Sequence, residues 1–116
     1  MKAQRLVLLS QLHGVTVTGA DFEGLDGLTL PGPLFEVAAF SPSEKVDVYC
    51  LESGSRLSCE VRSGGARATV TASGATAHLL KPGARVVVSA WGWVKGKQAL
   101  KHQPRVVHVD ADNAPS

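Results

Sequence analysis

The sequence is poor in cysteine, net charge and long apolar runs, and each shortage excludes a class of protein. No apolar stretch approaches the ~20 residues that a membrane-spanning helix needs. Lys2 and Arg5 precede Leu6-Val7-Leu8-Leu9, but this run is shorter than the ~7–15 apolar residues of a signal peptide. The expected location is therefore the cytoplasm, with no membrane as partner. A formal charge of +2 is too small for a nucleic-acid binder. The basic residues are also scattered, with no cluster denser than Lys95-Gly96-Lys97. Cys50 and Cys59 are the only cysteines, and in a cytosolic domain they read as reduced, small core residues. Their spacing matches no zinc pattern, and His13, His78, His102 and His108 show no paired metal spacing. No metal site is expected.

What is present is an ordinary globular composition. Apolar residues make up 44% of the 116 and charged residues 19%, enough for one core and unlike a disordered chain. Residues 1–116 read as a single domain without internal repeat or low-complexity linker.

Short alternating or β-branched runs broken by Gly and Pro dominate, and they predict strands. Leu6–Leu9 and Val15–Thr18 fit a long first strand bent at Gly14. Val46, Val48 and Cys50 share a buried face opposite Asp47. Ser53-Gly54-Ser55 turns the chain into a strand over Arg56–Val61, and Ser63-Gly64-Gly65 turns it again. Over Ala66–Ala72, alanine and valine alternate with Arg67, Thr69 and Thr71 as in a half-buried strand. Arg85–Trp93 and Arg105–Val109 supply two more. Trp91 and Trp93 share one face, which reads as core or subunit interface. Helix is scarce: Pro33–Phe40 carries helical spacing and Ser41-Pro42 stops it, while Gly74–Leu79 suits a short turn. The polar tail Asp110–Ser116 is expected to fray. The sum is a mainly β barrel of about six or seven short strands with one short helix.

Several landmarks occur in a fixed order. They are Leu12-His13, Val17-Thr18, Ala20-Asp21, Leu34, Glu44–Val48, Gly54-x-Arg56, Gly74-Ala75-x-Ala77-His78, Pro82-Gly83, Pro104-x-Val106 and Asp112-Asn113. In this order and spacing the chain resembles the pyruvoyl-dependent aspartate 1-decarboxylases over roughly residues 6–113. The resemblance implies a double-psi β-barrel and a homotetramer with active sites between subunits. It also implies conversion of L-aspartate to β-alanine and CO2 for pantothenate biosynthesis. In that family a serine hydroxyl attacks the preceding carbonyl, the chain is cut at a Gly-Ser bond, and a pyruvoyl group forms as electron sink.

Against that pattern the chain departs where the chemistry begins. Asp26-Gly27 stands at the Gly-Ser position, so no hydroxyl is available there. Thr29 has one, in a shifted register that would leave a ketobutyryl group. Gln11 replaces a lysine, Cys59 a threonine that assists processing, and Glu60 the tyrosine that protonates the product carbanion. Ser73 replaces an asparagine and Tyr49 a pocket tryptophan. Arg56 is retained, and the resemblance makes it the ligand of a substrate carboxylate, beside a pocket loop at Ser73, Gly74 and Ala75. Taken alone, Arg56 also suits a solvated strand position, Tyr49 a core aromatic, and His13 and His78 hydrogen-bonded structural histidines. The expected protein is an aspartate 1-decarboxylase-like barrel that has lost self-processing and decarboxylation. It would have no cofactor and would persist as a binding or assembly module, retaining a small anionic ligand at Arg56 or associating with another protein of the same pathway. The alternatives are an active aspartate 1-decarboxylase and a purely structural barrel.

Overall fold

The architecture follows from one long strand that serves both ends of a single sheet. A computed structural model describes residues 3–116; Met1 and Lys2, and with Lys2 part of the basic run ahead of Leu6, lie outside the described residues. The elements in order are β1 (Gln4–Thr16), β2 (Gly19–Asp21), β3 (Gly27–Leu30), α1 (Gly32–Val37), β4 (Glu44–Cys50) and β5 (Arg56–Ser63). They continue with β6 (Thr71–Ser73), α2 (Thr76–Leu79), β7 (Arg85–Lys95), α3 (Gly96–Ala99) and β8 (Arg105–His108). The strands form one sheet in the order β2-β6-β3-β5-β4-β7-β1-β8. β1 pairs antiparallel with β7 from Gln4↔Lys95 to Thr16↔Arg85, with register shifts at Leu8/Ser10 and His13/Val15. The second shift spans Gly14, whose φ of 95° makes the bend that its sequence position predicts.

Closure occurs at Thr18. β1 lies near one end of the sheet and β2 at the other, yet only Val17 and Thr18 separate them. The Thr18 N–H donates to the Val70 carbonyl at 2.8 Å, and the Val70 N–H donates to the Thr18 hydroxyl at 2.9 Å. The chain thereby bends the sheet round on itself into a double-psi β-barrel, with alternate residues pointing inward. Leu12, Val15, Leu28, Val46, Val48, Val61, Val86 and Val88 fill the interior, and Leu34 and Ala38 cover one end. Cys50 and Cys59 are buried and free, as the sequence suggests.

Several elements differ from the sequence reading. The described residues form eight strands, because β2 and β3 are too short to show periodicity. The first helix stops at Val37 rather than Phe40, since Ala39 turns left-handed (φ 57°) and the Phe40 N–H bonds back to the Phe35 carbonyl at 3.2 Å. The alternation over Ala66–Ala72 is not a strand: only Thr71–Ser73 is extended. Ala68 is left-handed (φ 66°), and the Thr69 N–H and hydroxyl both donate to the Ala66 carbonyl. A turn therefore carries what reads as a half-buried face. Trp91 and Trp93 are not core residues, being 39% and 66% exposed.

The tail does not fray. Asn113, left-handed at φ 57° and only 5% exposed, accepts the Thr16 N–H at 2.8 Å. Its amide donates to the carbonyls of Thr16 (2.9 Å) and Ala68 (3.0 Å). One side chain thus ties the tail to the end of β1 and to the turn before β6. Replacing Asn113 with alanine strands these backbone groups in a place water reaches poorly. The expected cost is about 2–4 kcal/mol. Urea unfolding should show a lower midpoint at unchanged m-value, and a shift within ~0.5 kcal/mol would refute the anchoring role.

Candidate functional site

Two groups of side chains can be built from the residues singled out in the sequence, and the sheet keeps them apart. The first surrounds Asp26-Gly27. β2 and β3 both pair with β6, so the segment between them, residues 22–26, is drawn across the barrel beside α2. Gly27 pairs with Ser73, and the Ser73 hydroxyl donates to the Leu25 carbonyl at 2.5 Å and lies 3.4 Å from the Gly27 carbonyl. The Asp26 carboxylate accepts both the Thr76 N–H (2.8 Å) and the Thr76 hydroxyl (2.7 Å). Gly74, left-handed at φ 63°, permits this approach: a Cβ there would lie 2.7 Å from the Asp26 Cα. The Arg62 guanidinium reaches over from β5 and donates to the Leu25 and Asp26 carbonyls. It also pairs with Glu60 at 3.7 Å.

The electrostatics of this group follow from those contacts. The Thr76 hydroxyl and then its N–H hold the Asp26 carboxyl below the usual carboxylate range; desolvation opposes them, and the Arg62 charge adds the smallest contribution. An ionised carboxylate held in this way is a poor electrophile for the Gly27 nitrogen. The contacts therefore work against the succinimide rearrangement to which Asp-Gly bonds are prone. Cys59 points inward beside Thr76, and burial pushes its thiol up to about 11, so it carries no thiolate at neutral pH. Glu60 lies on the opposite, exposed face of β5.

The second group lies on the outer face of β5, β4, β7 and β1. Arg56 stands over the Tyr49 ring at 4.3 Å, in register with it across the β4–β5 ladder. Asp47, Tyr49, Arg56, Leu57 and Ser58 line a shallow recess of about 190 Å³. Tyr49 is thus half-exposed on the outer surface and not a core aromatic. Gln11 donates to the buried Ser89 hydroxyl at 2.9 Å, and Ser89 faces Asp47 across the next ladder. His13 faces His108 at 5.4 Å between ring centroids, and exposed His78 stacks on Phe22 at 4.8 Å. Arg56 and Glu60 are four residues apart on β5, which at ~3.3 Å per residue separates the two groups by roughly 13 Å.

Gly27, Cys59 and Ser73 therefore come together, with Gly74 and Ala75 beside them, while Gln11, Tyr49 and Arg56 form a different surface. Sequence reasoning misses Arg62 and Thr76. Thr76 sits at the one unassigned position inside Gly74-Ala75-x-Ala77-His78, and Arg62 lies one residue beyond the strand read over Arg56–Val61. Among the described residues no three His, Cys, Asp or Glu side chains cluster to hold a metal. No helix there is long and apolar enough to cross a membrane.

The family model for aspartate decarboxylase matches residues 3–116. The chain belongs to the aspartate decarboxylase family. Aspartate 1-decarboxylase 1 of Gloeobacter violaceus is 40% identical over 110 residues, covering 94% of this chain and 93% of that protein. Aspartate 1-decarboxylase of Corynebacterium efficiens is 36% identical over 110 residues, covering 94% and 81%. That of Rhodopirellula baltica is also 36% identical, covering 94% and 70%.

The aspartate decarboxylase family uses a pyruvoyl group formed from the protein itself, and the residues at position 27 do not fit its formation. Gly27 has no hydroxyl. Its φ of 144° is one that a side chain rarely adopts, and a Cβ there would lie 2.6 Å from the Glu60 carbonyl oxygen and 2.8 Å from Arg62 Nη1.

Because its folded pKa is depressed, Asp26 contributes stability that is present above its unfolded pKa of ~3.9 and lost as pH falls through the folded value. Thr76→Val removes the hydroxyl that contributes most. Carboxyl NMR titration should then place Asp26 at a higher pKa than in the wild type, with a weaker loss of stability below about pH 4. An unmoved Asp26 titration would show that the hydroxyl does not hold the carboxylate.

Proposed function

We propose that this aspartate decarboxylase-family chain is not processed at residues 26–27, lacks the pyruvoyl group, and works as an intact barrel that binds a small anion. One observation carries the reading: Gly27 supplies no nucleophile, and its backbone conformation and neighbours leave no room for one. Thr29 is a poor substitute. Leu28, the residue before it, is paired on both sides, to Val61 and to Ala72, so its carbonyl lies within a regular ladder. Self-cleavage needs near-attack geometry, which such a ladder does not offer. Cys59 in place of the assisting threonine is buried and un-ionised, and Glu60 is engaged with Arg62.

The binding half of the proposal rests on Arg56. Its guanidinium is exposed, steadied by Tyr49, and opens onto a recess sized for a small carboxylate. On this reading residues 1–116 act as one cytoplasmic domain in a homo-oligomer, tetrameric by family resemblance, with neither nucleic acid nor membrane as partner. The names of the matched relatives support a second reading, an active aspartate 1-decarboxylase making β-alanine. That reading needs a processing route that does not start at residue 27. The purely structural barrel is the outcome in which no ligand binds.

Intact mass separates these. An unprocessed chain stays near 12.1 kDa, whereas two fragments meeting within residues 26–29 overturn the proposal. Calorimetry with L-aspartate should show binding that weakens about tenfold or more in Arg56→Ala, since a charge-assisted hydrogen bond contributes ~1.5–3 kcal/mol. No heat with either protein identifies the structural barrel.

A further inference from the structure

Gly27 is one half of an arrangement whose other half is Arg62. One guanidinium spans two successive carbonyls, Leu25 (3.4 Å from Nη1) and Asp26, and is itself braced by Glu60 at 3.7 Å. Thr29 and Arg62 are register partners across the β3–β5 ladder, and Gly27 lies two residues before Thr29, hence on the same face. That geometry puts the guanidinium where a side chain at position 27 would project: an added Cβ would meet the Glu60 carbonyl oxygen at 2.6 Å, then Arg62 Nη1 at 2.8 Å and Cζ at 3.1 Å. The carbonyl that a hydroxyl at position 27 would have to attack, that of Asp26, is the one that Arg62 Nη2 holds.

We propose that Arg62 is a positioning residue that fixes residues 25–27 in the uncut conformation and fills the space of a side chain at position 27. A serine there would therefore not by itself restore processing. The inference rests on the reading of an unprocessed chain. A guanidinium on a carbonyl oxygen can also polarise it toward attack. Here the same side chain excludes the attacking group, so the clamp holds the bond without activating it. Two bonded carbonyls and a carboxylate on one planar group also give a geometry that a lysine cannot reproduce.

The test is a double-mutant cycle on the full chain with Gly27→Ser, Arg62→Ala and the pair, read by urea unfolding and intact mass. The expected result is that Gly27→Ser alone stays uncut, and that its penalty on the folding equilibrium constant is about fivefold smaller when Arg62 is alanine. Additive penalties overturn the proposal, as does efficient cutting of Gly27→Ser with Arg62 present. Hydrogen exchange gives an independent reading in Arg62→Ala with Gly27 retained. The amides of residues 25–27 should exchange about tenfold faster while those of β4 and β7 stay unchanged, and Arg62→Lys should recover only part of the protection. Unchanged exchange at residues 25–27 rejects the clamp. The wild-type mass tests the underlying reading separately: a cut wild type defeats the proposed function, whereas additivity in an uncut protein defeats only the role of Arg62.

Discussion

Closure of the sheet at Thr18 is the constraint on which everything else in this barrel depends. The reciprocal bonds between Thr18, just past β1, and Val70, just before β6, bring the two ends of the sheet order together. β6 is three residues long and would not persist as an isolated edge. Once fixed, it pairs with β2 on one side and β3 on the other. The five residues between those strands must then cross the barrel end within reach of Ser73, Thr76 and Arg62. The clamp on Asp26-Gly27 is thus a consequence of closure. Asn113 reinforces the same joint, since it bonds both to Thr16 at the end of β1 and to Ala68 before β6.

Much of the fold was legible because its signals are local. The bend at Gly14, the alternation of Val46, Val48 and Cys50, and the turns at Gly54 and Gly64-Gly65 all express conformations that those residues favour by themselves. Elsewhere tertiary contacts decide the conformation. Ala66–Ala72 has strand periodicity, but the chain must descend to meet Thr18, and it does so through a left-handed Ala68 that no sequence rule selects. The tail is polar and looked free. It is held because one asparagine satisfies three backbone groups.

The site was legible in part for a similar reason. Gly27, Cys59 and Ser73 could be named together from family spacing, and β3, β5 and β6 do converge on them. Spacing says nothing about residues that act only through the three-dimensional arrangement. Thr76 occupied a position that the motif leaves unspecified, and Arg62 matters only because its length lets it turn back onto residues 25 and 26. Among the described residues no buried side-chain polar atom lacks a partner. Asp26, Glu60 and Ser73 each have a partner, in Thr76, Arg62 and the Leu25 carbonyl. They form a different, internally satisfied arrangement.

If residue 27 is not processed, as proposed, the placement of Arg56 decides what the barrel keeps. Within one chain the Arg62–Glu60 pair beside Asp26-Gly27 and the Arg56–Tyr49 pair lie on the same face of β5, roughly 13 Å apart. Arg56 draws its position from Tyr49 and from the β4–β5 ladder, and neither depends on the conformation of Gly27. A change at residue 27 can therefore abolish processing without disturbing Arg56, and the strand spacing places no physical penalty on their separation. The spacing along β5 is therefore compatible with the proposed unprocessed, anion-binding barrel.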